Sequence, residues 1–462
     1  MIFSSLTFLL VFFPITLLFY YLVPMKAKNV ILLLFSLLFY AWGEPIYVVL
    51  MLYSILLNYV CGLLMDKFEN ARKHILIFGI VINLFLIGFF KYAGFVTDSL
   101  NSVLSHFGVS IPSRELALPI GISFYTFQAL SYLIDLYRKK FPVQKNLFRF
   151  ALYITMFPQL IAGPIVRYES IAEELEKRNI SMENIGKGAL LFVEGLAMKV
   201  LLANQVGVIA DELRAMSDRL SATSAWIGTL SYFFQIYFDF AGYSVMAIGL
   251  GLMLGFTFCK NFDHPYLSTS VTEFWRRWHI SLGTWFREYV YIPLGGNRVG
   301  VAKHIRNILI VWALTGLWHG AAWNFVLWGL YYGLLLLLEK YLLSRIKIPK
   351  WIGWIYTTAL VLIGWVLFSS ENLGQCGQIL SSMFGGGNGG FDTTALYYLC
   401  TGGVILVICA ICSTPLLGKI KGWLLKAVPG QIVLTLVYLV LIGLTVMCLV
   451  VENYNPFLYF RF

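Results

Sequence analysis

Long apolar runs divided by short polar connectors set the pattern of this chain. They fall near residues 4–24, 30–42, 45–65, 75–96, 117–136, 150–165, 187–210, 223–257, 306–338, 352–369, 396–415 and 432–451. A helix crossing a bilayer takes about 20 apolar residues, and several of these runs reach that length. The runs 30–42 and 150–165 are shorter. They suit re-entrant or interfacial segments whose backbone is covered by protein or by a watery cavity. The pattern predicts an all-α, polytopic integral membrane protein with roughly ten to twelve spanning or re-entrant helices. It predicts one membrane-embedded domain over 1–462, with a chemistry-bearing core at about 117–340. The first run, Leu6 to Val23, has no Lys or Arg before Lys26. It lacks the basic start and small-residue cleavage site of a signal peptide, so it predicts a retained first helix.

The charged residues orient these runs. Loop 137–149 holds Arg138, Lys139, Lys140, Lys145 and Arg149 with no acid. Loop 66–74 carries Lys67, Arg72 and Lys73, loop 339–350 carries Lys340, Arg345, Lys347 and Lys350, and loop 416–431 carries Lys419, Lys421 and Lys426. By the positive-inside rule all four are cytoplasmic. Segment 371–395 has neither Lys nor Arg and contains the flexible run Gly385-Gly386-Gly387-Asn388-Gly389-Gly390, which suits an outside loop. Both chain termini then fall outside. The stretch 258–306, with seven basic and three acidic residues, is too polar to span and predicts an amphipathic segment at headgroup level. The run 306–338 would enter and return as a hairpin broken near Trp318-His319-Gly320, keeping Lys340 on the side of Arg306.

Composition narrows the class. Hydrophobic residues make up 59% of the chain and charged residues 12%, against about 45–50% and 25% in ordinary soluble domains. That excludes a soluble enzyme and a disordered chain. The net charge of +11 lies in loops beside apolar runs, so membrane lipid, and not nucleic acid, is the expected partner. Of seven cysteines, Cys409 and Cys412 make a CxxC spacing, but within an apolar run, where cysteine behaves as a small hydrophobe. No internal repeat points to a transporter.

The candidate chemistry concentrates in three places. His319 lies between two apolar runs, with Gly316 and Gly320 removing bulk around it. A buried neutral imidazole is a suitable general base for a hydroxyl. The plain alternative is a core histidine satisfied by one hydrogen bond. His279 lies in a run holding Trp275, Arg276, Arg277, Trp278, Trp285 and Arg287. Arginine clamps phosphate or carboxylate, and tryptophan stacks or anchors at an interface. An anchor helix with no substrate contact is the alternative. Gln235 and Asp239 share a helix face at i,i+4. A carboxylate there needs a partner, for which an arginine of 276–287 is the candidate, in a pair either structural or catalytic. His74, His106, His264 and His304 sit in loops or connectors. No HxxxH or HExxH spacing occurs, so no metal is expected.

These residues carry a resemblance. Ser123 to Tyr132, Phe157-Pro-Gln-Leu-Ile-Ala-Gly-Pro-Ile-Val-Arg167, Asp239-Phe-Ala-Gly-Tyr-Ser244, Thr272 to Arg298 and Leu314 to Gly329 are similar, in order and spacing, to the membrane-bound O-acyltransferase family. The bacterial branch that holds the membrane component of alginate O-acetylation looks closest. The resemblance implies a tunnelled fold with His319 as the catalytic histidine and His279 as the second characteristic position. It implies no tightly bound cofactor, an acyl donor such as acetyl-CoA as substrate, a polysaccharide acceptor, and an extracytoplasmic partner of the SGNH-hydrolase type. Val245 and Tyr332 depart from the family pattern, where an acid and a histidine are expected.

The resulting expectation is a multi-pass O-acyltransferase of the cytoplasmic membrane. His319 takes the proton of a hydroxyl as that oxygen attacks a thioester carbonyl. His279 and Asn324 are candidates for stabilising the oxyanion. Arg276, Arg277 and Arg287 steer a phosphorylated donor, and Trp278, Asp239 and Gln235 line the route. The rivals are D-alanyl transfer to teichoic acid, a transporter of lipid-linked sugar, and a catalytically idle scaffold.

Overall fold

The computed structural model describes residues 1–112, 117–452 and 454–458. Residues 113–116, 453 and 459–462 of the domain expected over 1–462 lie outside the described residues. Among the described residues there are helices and no strand. The helices are α1 (Phe13–Leu22), α2 (Met25–Gly43), α3 (Val48–Lys67), α4 (Arg72–Ile87), α5 (Ala93–Leu104), α6 (Ile122–Tyr137), α7 (Leu147–Thr155), α8 (Phe157–Leu160), α9 (Tyr168–Glu176), α10 (Met182–Ala197), α11 (Asn204–Ala215) and α12 (Ala222–Leu254). They continue as α13 (Val271–Arg277), α14 (Ile280–Phe286), α15 (Val301–His319), α16 (Trp323–Tyr341), α17 (Lys350–Ser369), α18 (Leu373–Ser381), α19 (Thr393–Cys412), α20 (Leu416–Leu424) and α21 (Val428–Val451). Among the described residues eight helices are long and apolar enough to cross a membrane. Of the two shorter apolar runs, 30–42 lies within α2, whose 19 residues are long and apolar enough to cross, whereas 150–165 folds into shorter pieces. Compact packing divides the chain into one unit of Met1–Ala189 with Ala247–Cys259, and a second of Leu190–Met246 with Lys260–Phe462.

In the first unit, three helix ends meet in one buried polar knot. Helix C-termini carry carbonyls without intrahelical partners and a partial negative charge. Here α1 ends beside Lys28, whose Nζ donates to Tyr20 O at 2.5 Å. The carbonyls of Met253 and Leu254, which end α12, accept from the hydroxyls of Tyr21 and Tyr20. Near the end of α9, Glu174 O accepts from Arg178, and Leu175 O from Asn29. The Arg178 Nε donates to the Tyr20 hydroxyl at 2.9 Å, and its guanidinium lies 4.5 Å from the Phe256 ring centre. Lys28 thus has a buried task within α2, which begins at Met25, directly after Pro24 and before the apolar run itself starts.

The run 150–165 breaks between α7 and α8, and its backbone is buried in protein, as a broken segment at membrane depth requires. Gln159 donates to Tyr153 O at 2.6 Å, and the Tyr153 hydroxyl lies 3.2 Å from both Gln128 O and Val166 O.

In the second unit, α15 and α16 form the expected hairpin, broken at Gly320–Ala322. Glycines allow the two helices to touch. A Cβ at Gly316 would collide with the Phe325 carbonyl, one at Gly320 with the Phe325 ring, and one at Gly329 with the Trp312 carbonyl. At the far end His304 fastens the arms, its Nδ1 3.0 Å from the Tyr341 hydroxyl and its Nε2 2.9 Å from Lys340 Nζ. Arg306 and Lys340 therefore share one end, as their charges predict.

The stretch 258–306 is not one continuous helix. It folds as α13, α14, a π-helical turn at Arg287–Tyr291 and the start of α15, with Trp278, Trp285 and His279 buried. Helix α13 is held by an unusually complete cap. The Ser270 hydroxyl accepts from Glu273 N at 3.0 Å, and Glu273 accepts from Thr269 N at 2.8 Å, a capping box displaced by one residue. The Glu339 carboxylate, reaching in from α16, accepts from Val271 N at 2.6 Å and Thr272 N at 2.8 Å.

Candidate active site

His319 is the last residue of α15 and 3% exposed. Its ring stands edge-on to three aromatics, with centroid distances of 4.9 Å to Trp318, 5.0 Å to Trp328 and 5.3 Å to Phe368. The hairpin brings Trp328 to this cage, and α17 supplies Phe368. Asn324, in the first turn of α16, donates to Ser370 O at 2.9 Å and so pins the start of α16 to the end of α17.

His279 occupies the connection between α13 and α14 and is 2% exposed. Its backbone is left-handed at φ 44°, a sparsely populated conformation for a residue with a Cβ and one that collects at functional sites. Its ring meets Phe240 of α12 at 4.6 Å and Trp318 at 5.9 Å. Trp318 therefore touches both imidazoles, and the two predicted histidines face one indole. Burial in this apolar shell pushes the His279 pKa down to about 3, so its imidazole is neutral.

Asn261 orders this site, and nothing in the sequence pattern marks it. Its Oδ1 lies 3.1 Å from His279 Nδ1 and accepts from Ser281 N at 3.2 Å and Ser281 Oγ at 2.9 Å. Its carbonyl accepts from Ile280 N at 3.0 Å. Asn261 thus caps α14 from outside the helix, while its Nδ2 finds no acceptor among the described residues.

The remaining predicted residues separate into two groups. Trp278 is buried, 4.9 Å from Trp365 and 6.1 Å from Tyr237. The arginines lie on the opposite side of their short helices. Arg276 and Arg287 are exposed, and Arg277 pairs with Glu273 at 2.6 Å. Tyr332, a departure from the family pattern, is fully buried with its ring 4.8 Å from that of Trp275.

Asp239 does not pair with an arginine of 276–287. Its partner is Lys199, at 2.6 Å, with both side chains almost wholly buried. Lys199 sits on a π-helical turn, Met198–Ala203, a feature that re-aims a side chain within a helix. Its Nζ also donates to Asn204 Oδ1 at 2.8 Å and to the Pro456 carbonyl. Leu458 N donates to Asp239 Oδ2 at 2.9 Å, and Gln235 donates to the Tyr454 hydroxyl, which itself donates to Asp211. The shared face of Gln235 and Asp239 therefore receives the chain segment 454–458. Lys199 is a cation deep within the apolar run 187–210, and a charge at such a depth is the sequence signal for it.

Among the described residues no group of three or more His, Cys, Asp or Glu is placed to hold a metal ion. The buried Cys409 is a free thiol of α19.

Comparison with known proteins gives a consistent result. Residues 138–373 match the model of the membrane-bound O-acyltransferase family. The chain is 42% identical over 395 residues to a probable alginate O-acetylase AlgI of Azotobacter vinelandii, covering 84% of this chain and 79% of that one. It is 35% identical over 425 residues to a peptidoglycan O-acetyltransferase of Helicobacter pylori, covering 83% and 80%. With a teichoic acid D-alanyltransferase of Bacillus subtilis it shares 26% over 290 residues, covering 58% and 73%.

Proposed function

The chain belongs to the membrane-bound O-acyltransferase family, and from that footing we propose that it moves an acetyl group from a cytoplasmic thioester, such as acetyl-CoA, towards an extracytoplasmic polysaccharide, with an SGNH-hydrolase-like protein as partner on the outer side. It is a multi-pass membrane O-acyltransferase. The observation that carries the finer reading is the pair of buried histidines flanking Trp318, one of them at the break of a glycine-packed hairpin.

In this reading His319 takes the proton of the incoming hydroxyl. The oxygen attacks the thioester carbonyl carbon, the C–S bond breaks, and the proton passes from the imidazolium to the departing thiolate. The base supplies on the order of 10²–10⁴-fold. Holding both substrates in one dry passage adds to it. The oxyanion needs a fixed donor, and we assign that task to Asn324, which spends one amide hydrogen on Ser370 O and keeps a second. The exposed Arg276 and Arg287 serve as a landing surface for a phosphorylated donor. The basic loops favour a cytoplasmic donor side. Acetyl is favoured over D-alanyl because the relatives that align over most of this chain are named for O-acetylation.

The test is His319→Ala in membranes supplied with labelled acetyl-CoA and acceptor polysaccharide. Transfer falls by about 10²-fold or more at equal protein level. Transfer at the wild-type rate would refute the assignment.

A further inference from the structure

A histidine takes part in proton chemistry through one nitrogen, and the bond made by the other decides which. At His279 that bond goes to Asn261. An asparagine amide offers an accepting oxygen on one side and a donating nitrogen on the other, and here a third group identifies which of them faces the ring. The backbone N–H of Ser281 can only donate, and it points at the same Asn261 atom, 3.2 Å away. That atom is therefore the carbonyl oxygen, which can only accept. The imidazole nitrogen 3.1 Å from it, Nδ1, must then carry the proton. In a neutral ring Nε2 is left as the nitrogen with the lone pair.

The arrangement has a further economy. At the start of a helix the side chain of the residue just before it commonly caps the free N–H groups. His279 stands at that place before α14, yet its side chain forms no such bond. Asn261 serves Ile280 N and Ser281 N instead. The imidazole is released from capping and turned towards Phe240 and Trp318.

We propose that Asn261 is a positioning residue that locks the proton of His279 on Nδ1, so that Nε2 accepts a hydrogen bond from a hydroxyl of the acceptor other than the one whose proton His319 takes, and does not donate to the oxyanion. The role of Nε2 rests on the O-acyltransferase reading; the tautomer does not. It replaces the oxyanion role expected of His279 with an accepting one.

The experiment is nitrogen NMR of the full-length protein in lipid nanodiscs with ¹⁵N-labelled histidine, the His279 signals being those missing from His279→Gln. The wild type shows a protonated Nδ1 and a bare Nε2. Asn261→Ala admits the other tautomer and lowers kcat by about 10-fold or more with KM within about twofold, as loss of an orienting group does. Asn261→Asp, which keeps an oxygen for both Nδ1–H and Ser281 N–H, restores the tautomer and brings kcat back towards wild type. A proton on Nε2 in the wild type, or an unchanged tautomer in Asn261→Ala, overturns the proposal. Should Asn261→Ala fail to fold, loss of the Nδ1–H form in Asn261→Asp overturns it equally. A wild type with the stated tautomer and no acyl transfer would instead sink the functional reading.

Discussion

Replacing Lys199 by methionine decides whether Asp239 is a reacting group or half of a buried strut. At 2.6 Å the two charges attract by about 6 kcal/mol if the effective dielectric is about 20. Removing each of them from water costs several kcal/mol, so the intact pair is close to break-even. The asymmetry appears when one partner goes. In Lys199→Met the Asp239 carboxylate keeps Leu458 N and loses its countercharge, while Asn204 and Pro456 lose a donor. The expected destabilisation is about 3–5 kcal/mol, the usual cost of an uncompensated buried charge. Lys199→Met with Asp239→Leu removes both charges and returns to within about 2 kcal/mol of wild type. The assay is reversible unfolding in mixed micelles, followed by tryptophan fluorescence over a titration of SDS. Acyl transfer is measured on the same samples. A loss under about 1 kcal/mol in the single variant, or a double variant as damaged as the sum of its parts, would refute the strut. If the double variant is stable yet inactive, Asp239 belongs to the chemistry.

Two further outcomes follow from the packing and the burial. Gly316→Ala puts a methyl group against the Phe325 carbonyl, which cannot retreat without moving α16. The change costs about 1–3 kcal/mol and lowers acyl transfer roughly 10²-fold through misplacement of His319 against Trp328, whereas Gly403→Ala, which meets open space on α19, leaves both unchanged; a fully active Gly316→Ala enzyme refutes the close contact. The depressed pKa of His279 makes stability depend on pH with a definite sign: between about 3 and 6.5 the unfolded chain binds a proton there and the folded chain does not, so stability rises with pH across that window and is fully present above it. Acidifying from pH 7 to pH 5 costs about 2 kcal/mol from this one group, and unfolding of His279→Gln lacks that contribution; an equal slope in both proteins refutes it.

The sequence was most legible where one physical constraint acts along the chain. The hairpin at 306–338 followed from a run too long for one crossing, small residues at its middle and cations at both ends, and α15 and α16 realise each of these. It was least legible where a partner comes from another helix. The spacing of Gln235 and Asp239 shows that they share a face, but not which helix that face meets. Lys199 lies far upstream, and only the π-helical turn at Met198–Ala203 brings it round. The local fold of the Arg- and Trp-rich stretch was hidden for a related reason. Tryptophan suits a membrane interface and a protein core equally well, and composition cannot distinguish them. What decided was a set of caps: Ser270, Glu273 and Glu339 end the preceding chain and start α13 inside the unit.

The same logic explains why His279 could be suspected and Asn261 could not. An imidazole in an apolar setting is costly, so its presence alone raises a question of function. An asparagine before a phenylalanine in a polar connector raises none, because such residues commonly serve turns. Its importance arises only when its amide oxygen receives three donors at once, two of them from Ser281 and one from the ring that matters. A left-handed backbone at His279 would be a needless cost if the ring were mere filling. With Asn261 capping the next helix in its place, that conformation gives the imidazole a direction its own helix start would otherwise deny it. The chemistry-bearing residue is visible from composition, and the residue that aims it becomes visible only through geometry.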